Sequence, residues 1–404
     1  MIIGIEPNAA RDMLYALEVS PKTETIAIAD ALGRIAAEDV FAKIPIPPFD
    51  RSPFDGYAFR GEDTDSAARE MPATLKITEE LPAGIAPMVE VTSGFAAKIL
   101  TGAPIPQGAN CTVRYEDTEF NESEVRIFSP VAPGSDVVYA GEDVKRGECI
   151  IEHGNMITPP MMGLMASAGI AEITVYKPPR AAILNTGTEL VEPGNPLPPA
   201  KIYNSNVFTL SGYLRSQGMD AYNAGVVDDN ADAIALRINS ELAVSDIVIT
   251  TGGASVGDYD FAIRALEILG AEILFWKAKI KPGGAAVAAV LDGKLILALS
   301  GNPGGAIMFL LRCAMPYIKK LCGQTNCFPE LVEVYLKSPF DKLSERSRML
   351  RGNLEIVRGK AYFVENGPQG GGDISSFAAA DLLAEIPADS APLPAGTLVK
   401  AWRL

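Results

Sequence analysis

Apolar positions recur at two different periods along this chain, and the changes of period divide it. Residues 7–19 open with Pro7 and Asn8 and carry Ala10, Met13, Leu14 and Leu17 at helical spacing, which predicts a helix. Residues 22–28 alternate as a strand does. The run Ile44-Pro45-Ile46-Pro47-Pro48-Phe49-Asp50 forbids helix and predicts an extended linker where a new unit starts. From 55 to 141 the pattern is short β-like runs broken by Gly and Pro, among them 74–77, 97–101 and 125–128. Helical spacing returns at 159–168, with Pro159 suited to a first turn. A second proline linker follows at Tyr176-Lys177-Pro178-Pro179.

Residues 180–322 differ in kind. Strands are expected at 181–184, 224–227, 246–250, 272–276, 286–290 and 294–299. Helices are expected at 206–217, capped by Asn206, at 231–242 and at 303–321. Alternating strands and helices predict a mostly parallel sheet covered on both faces. Residues 331–404 return to short strands, and 366–373 read as a loose glycine-rich loop. The expected fold is multidomain, α/β plus β. Its parts are an interrupted N-terminal domain (1–45 and 142–178), an inserted small β domain (46–141), an α/β domain (179–323) and a C-terminal β domain (324–404).

With 404 residues and 48% hydrophobic positions, the chain has ample material for a packed core. A net charge of −15 with no Lys/Arg cluster argues against nucleic acid. The one histidine, His153, rules out multi-histidine metal sites, and its place in a turn with no nucleophile nearby in sequence argues against a Ser-His-Asp triad. Cys111, Cys149, Cys313, Cys322 and Cys327 are odd in number and form no C-x-x-C, so reduced thiols in a cytoplasm are expected. No signal-peptide pattern and no run near the ~20 apolar residues of a membrane span is visible.

Candidate chemistry centres on Thr251-Gly252-Gly253-Ala254-Ser255-Val256-Gly257-Asp258-Tyr259-Asp260, between an apolar β-branched run and a helical pattern. Glycines let backbone N–H groups approach an anion, and the following helix start points more of them at it. Asp258 and Asp260 add hard oxygen ligands for a cation such as Mg²⁺. The same residues also suit a plain tight turn with aspartates at a helix start. Two further turns follow strands, Asn185-Thr186-Gly187-Thr188-Glu189 and Leu299-Ser300-Gly301-Asn302-Pro303-Gly304-Gly305. Ligands of open α/β sheets gather at such strand ends. The three turns would bring Glu189, Asp260 and Asp228 or Asp229 together. Lys277, Lys279 and Lys281 alternate in an extended segment, so all three should face one side as anion ligands, or else form a solvated edge.

Six segments carry a resemblance across nearly the whole chain. They are Ser52-Pro53-Phe54-Asp55-Gly56-Tyr57-Ala58, Leu100-Thr101-Gly102-Ala103-Pro104, Gly141-Glu142-Asp143, Thr186-Gly187-Thr188-Glu189-Leu190, Thr251 to Gly257, and Gly301-Asn302-Pro303. In this order they resemble the molybdopterin molybdenumtransferase family, which includes the E domain of gephyrin. The resemblance implies a homodimer with a shared site that inserts molybdate into adenylylated molybdopterin and releases AMP with Mg²⁺ present. It makes the molybdopterin adenylyltransferase a candidate partner. By motif position, the implied catalytic residues are Asp55, Thr101, Asp143, Glu189, Asp228 and Asp260, of which Glu189, Asp228 and Asp260 would hold the metal. The implied cofactor contacts are Thr186, Gly187, Gly252, Gly253, Ser255, Gly257, Lys277, Lys281, Gly301, Asn302 and Pro303.

The chain departs from the family pattern at Thr188 (usually Asp), at Gly284 and Ala285 (usually Lys and Pro) and at Ser300 (usually Pro). Val138 lies where an arginine commonly precedes the G-E-D motif. Two lost positive groups should weaken oxyanion binding, and a lysine restored at Gly284 should strengthen it. A non-catalytic carrier or sensor, a tungstate-specific homologue and a scaffold are the alternatives to the enzyme.

Overall fold

The computed structural model describes residues 1–253, 261–390 and 392–404. Its largest sheet has seven strands in the order Ile2–Ile5, Glu272–Ala278, Ala286–Leu291, Lys294–Leu299, Ile247–Thr251, Arg180–Thr186 and Asp220–Val227. All neighbours run parallel except Ala286–Leu291, which is antiparallel to both of its own. Asp292 and Gly293, both at positive φ, explain that exception, because they close a two-residue hairpin of the primed type.

Both faces of the sheet are covered. Ile183, Ile249 and Leu297 pack with Val207, Leu210 and Ile307 from the helices of one side. Leu184, Val248 and Ile296 pack with Ile234, Ile238 and Ala265 from helices Ala231–Leu242 and Phe261–Ile268 on the other. Strands that are apolar at every position can only be buried on two sides. Each fully covered Ile or Leu contributes about 1.5–3 kcal/mol relative to exposure.

The interrupted unit shares one core across the insertion. Thr23–Ala27 pairs with Glu172–Tyr176 and Val40–Phe41 with Cys149–Ile151, around Ala36, Ile157, Met165 and Val175. Sequence patterning assigns all of residues 1–45 to this unit. The structure instead sets Ile2–Ile5 on the edge of the large sheet, with Ala10 and Leu14 of helix Pro7–Tyr15 in the α/β core. A four-residue Ile-Ile-Gly-Ile strand has no periodicity that names its distant partner.

The inserted unit is a six-stranded sheet formed between Gly56 and Ile127. In the C-terminal unit the long strand Ser347–Val357 pairs with Lys360–Glu365 at one end and Leu382–Ile386 at the other, closing a barrel through Leu331–Leu336 and Leu398–Arg403. Ile280–Lys281 adds itself parallel to Ser347 and Arg348, so a loop of the α/β unit is hydrogen bonded to the barrel.

The expected helix 303–321 is interrupted. Pro303–Phe309 and Met315–Leu321 flank a π-turn at Leu310–Ala314. Pro316 has no N–H for the carbonyl four residues back and crowds it, and the wider turn absorbs both defects. All five cysteines are free, and only Cys149 is exposed. Among the described residues no helix is long and apolar enough to cross a membrane.

Candidate active site

The parallel strands end level with one another. Thr186 is in register with Val227, Asn185 with Thr251, and Thr251 with Leu299, so the turns after them emerge side by side. Asn185 Nδ2 donates to Thr251 Oγ1 at 2.6 Å. Asn206 Nδ2 donates to the same oxygen at 3.3 Å and to the Gly301 carbonyl at 2.9 Å. Asn206 is therefore not the expected cap. It lies inside helix Asn206–Ser216, whose N-cap Ser205 makes no side-chain bond, and its amide ties the second turn to the third. Gly252 N donates to Leu299 O at 3.2 Å.

Gly252 shows why this junction needs glycine. Its φ is +92°, and a Cβ there would stand 2.5 Å from both the carbonyl and the hydroxyl oxygen of Thr186. Gly252→Ala should therefore force the first two turns apart at a cost of about 1–3 kcal/mol. A thermal unfolding midpoint unchanged from wild type would refute that close approach.

The convergence leaves acceptors open. Asn185 Oδ1, Thr186 Oγ1 and Asn206 Oδ1 are buried without a hydrogen-bond partner among the described residues. Each such atom costs about 1–3 kcal/mol unless a ligand donates to it. Around them, Glu189 folds its carboxylate back over Gly187, within 2.7 Å of where a Cβ would sit. Asp228 is exposed and directly follows the strand Asp220–Val227 that borders Thr186. Ser255, Gly257, Asp258 and Asp260 lie outside the described residues. Among the described residues no three His, Cys, Asp or Glu side chains gather to hold a metal.

The three lysines do not share a face. Lys277 has a left-handed φ of +64°, which breaks the alternation that the expectation assumed. Its ammonium sits over the Trp276 ring at 4.1 Å, and Lys279 pairs with Glu6 at 2.7 Å. Only Lys281 reaches the cavity of about 400 Å³ between the third turn and the barrel. That cavity also meets Ser300, Asn302, Lys342, Arg348 and Gly371, with Glu365 the one acidic neighbour among the described residues. Asn302 and Pro303 start the helix Pro303–Phe309 at its rim.

The barrel's part in this cavity is invisible to sequence patterning. Arg351 is fully buried, and its guanidinium donates to the carbonyls of Pro368, Gln369 and Gly370 and to Ser376 Oγ. Gly305 N in turn donates to Gly371 O at 3.1 Å. The stretch 366–373, expected to be loose, is thus held between Arg351 and the third turn. An arginine among Met349, Leu350 and Leu354 is the one signal the sequence offers for it.

Gly284 is closed to a larger residue. A Cβ there would meet the carbonyls of Ala278 and Ile280 at 2.8 Å and Arg346 Nη1 at 3.3 Å. The expected gain from a lysine is thereby overturned on geometry. Gly284→Lys should lower the thermal midpoint and leave molybdate dependence no better than wild type. A tighter molybdate dependence at unchanged stability would count against this.

Asp55 and Thr101 meet at the end of the inserted sheet. Asp55 Oδ1 accepts from Thr101 N at 2.7 Å and from its hydroxyl at 2.8 Å. These bonds hold the Asp55 carboxyl below its ordinary range. Such a group favours the folded state above the unfolded carboxyl pKa, and the benefit is lost as pH falls through the lower folded value. Thr101→Val should raise the Asp55 titration, read by carboxyl NMR. An unmoved midpoint would show that the hydroxyl is idle. Asp143 is exposed on a loop whose Ala140 N–H binds Asp50 Oδ1 at 2.8 Å. No hydrogen bond or ion pair among the described residues joins Asp55, Thr101 or Asp143 to the crevice.

Residues 5–169 match the MoeA N-terminal region (domain I and II), 182–320 a probable molybdopterin binding domain, and 333–404 the MoeA C-terminal region (domain IV). A molybdopterin molybdenumtransferase of Staphylococcus aureus (strain COL) is 32% identical over 93% of this chain and 90% of its own length. The chain belongs to the molybdopterin molybdenumtransferase family. A second member of that family, from Staphylococcus epidermidis, is 30% identical over 98% of this chain and 94% of its own. Among solved structures, a molybdopterin biosynthesis MoeA protein from Pyrococcus horikosii superposes with a TM-score of 0.82 at 30% identity, covering 99% of both chains. Full-length coverage places the family's fold on every unit described above. Arg346 and Arg348 of the barrel stand beside the loop that carries Gly284.

Proposed function

We propose that this protein is a molybdopterin molybdenumtransferase of molybdenum cofactor biosynthesis. It takes adenylylated molybdopterin, inserts molybdate and releases AMP. The observation that carries this is the junction of three strand-end turns, where buried acceptors have no partner among the described residues, beside a cavity lined by Lys281, Lys342 and Arg348. A pterin offers the N–H donors that the open acceptors of Asn185, Thr186 and Asn206 lack. The lysines and arginine suit a phosphate or molybdate oxyanion.

Glu189 and Asp228 present carboxylates at neighbouring strand ends, a hard-oxygen donor set that fits Mg²⁺, with Asp260 as third ligand. When bound there, the ion would offset phosphate charge as AMP departs. Thr186, Gly187, Gly252, Gly253, Gly301, Asn302 and Pro303 form the wall of the site, and Ser255 and Gly257 join them as cofactor contacts by motif position alone. Asp55, Thr101 and Asp143 complete it from a second copy in a homodimer. Residues 46–141 act as one unit, carried on the interrupted N-terminal domain. The working place is the cytoplasm, and a molybdopterin adenylyltransferase supplies the substrate.

The deciding experiment incubates purified protein with adenylylated molybdopterin, Mg²⁺ and molybdate or tungstate, and measures AMP. Molybdate-dependent AMP release is expected. Tight binding of the adenylylated compound with no AMP from either oxyanion would make the protein a carrier.

A further inference from the structure

A second cavity, of about 330 Å³, shares no lining residue with the one beside Lys281. It lies among the first helix, the helix Asn206–Ser216, the π-turn and the last strand of the chain. Among the described residues, four cationic side chains line it, Arg11, Arg312, Lys319 and Arg403, and no Asp or Glu does. That grouping stands out in a chain of net charge −15. Some of the charge is already answered. Arg11 pairs with Asp12 at 2.7 Å and Arg403 with Glu330 at 3.5 Å. Arg312 Nη2 donates to Asn8 at 2.6 Å and approaches Glu385 at 3.4 Å.

Two groups remain open. Arg312 is only 5% exposed, yet its Nε has no hydrogen-bond partner among the described residues. The Lys319 ammonium has no hydrogen bond or ion pair among the described residues, although its carbonyl accepts from Gln324 N. A buried N–H donor without an acceptor is costly, and an anion is the partner that both groups lack. The rest of the wall is flat and apolar: Trp402, Tyr213, Leu311 and Met315. The Arg312 guanidinium lies over the Trp402 ring at 4.3 Å. The π-turn sets this arrangement, because Arg312 sits within it, and π-turns recur at functional positions.

We propose that this cavity binds a small organic anion, its acid group held by Arg312 and Lys319 and its flat apolar body against Trp402 and Tyr213. The volume suits a ligand of one or two rings. An occupant would bear on the helix segment that starts at Pro303, the third turn of the crevice.

The probe is 8-anilinonaphthalene-1-sulfonate, followed by its fluorescence on the full chain. One saturable site per chain is expected. Lys319→Glu should weaken it about tenfold or more, and Lys319→Arg should keep affinity within about twofold, as a charge-assisted contact requires. Uncharged N-phenyl-1-naphthylamine should bind about tenfold more weakly than the sulfonate. Equal affinity for the uncharged compound, or a Lys319→Glu protein of normal circular dichroism that binds the sulfonate as wild type does, would overturn the proposal.

Discussion

Mixed dimers of Asp55→Ala and Asp228→Ala subunits should recover about a quarter of wild-type AMP release, although each variant alone is nearly inactive. The argument begins with separation. Asp55 is fixed by Thr101 at the end of the inserted sheet, and Asp228 stands at a strand end of the large sheet. No hydrogen bond or ion pair among the described residues joins their two units. In a two-fold homodimer the inserted sheet of one copy can complete the crevice of the other. Each variant alone then has both sites damaged, with losses of about two orders of magnitude when a group facing the reacting charge is removed. In a heterodimer one site collects both lesions and the other collects none. Random pairing makes about half of the dimers mixed, each with one working site in two, hence the quarter. If both residues served the same subunit's site, every site would stay broken and mixing would restore nothing. If Asp55 only shapes the turn before Gly56, Asp55→Ala alone would remain largely active.

Replacing the fully buried Arg351 by methionine should release the stretch 366–373 and destabilise the barrel side of the crevice by about 3 kcal/mol or more. Methionine approximates the length of the side chain, so packing is largely kept. What disappears are the donors to three backbone carbonyls and to Ser376 Oγ. Those carbonyls then face the interior without partners, unless the loop swings into water. Swinging out would remove Gly371 from Gly305 N and open the Lys281 cavity on one side. Limited proteolysis should cut the variant within 366–373 at least about tenfold faster than wild type. AMP release should fall with it. An uncut loop at unchanged urea midpoint would mean that Gln369, which brackets the Arg351 backbone by bonds to both its N–H and its carbonyl, holds the loop alone.

What the sequence made legible follows from how local each signal is. The strands 286–291 and 294–299 and the turns at Gly187, Gly252 and Gly301 are written in adjacent residues, and periodicity with glycine placement finds them. Their convergence was legible as well, because parallel strands must end on one side. Lys277 was misread because alternation presumes extended backbone throughout, and one left-handed residue cancels it. Gly284 was misread because a family pattern records which residue is usual and says nothing of the carbonyls of Ala278 and Ile280 packed against it. Asn206 looked like a cap because an asparagine before an apolar helix usually is one. Its bonds to Thr251 and Gly301 depend on chain segments 45 and 95 residues away. Pro316 was visible throughout, but whether a helix answers proline with a kink, a stop or a π-turn depends on the packing around Arg312.

The edge strand Ile2–Ile5 has a consequence for how the molecule is made. Its partner Glu272–Ala278 comes later in the chain than the interrupted unit, the inserted sheet and the strands Arg180–Thr186, Asp220–Val227 and Ile247–Thr251. Until then the Ile-Ile-Gly-Ile segment has no sheet edge to pair with, and strand 272–278, once made, offers an open row of N–H and C=O groups until the segment docks. Closing so distant a contact is slow in any chain. Docking of Ile2–Ile5 therefore covers that edge, and it brings helix Pro7–Tyr15 against the π-turn, so one contact both completes the core and protects the sheet from pairing with other copies.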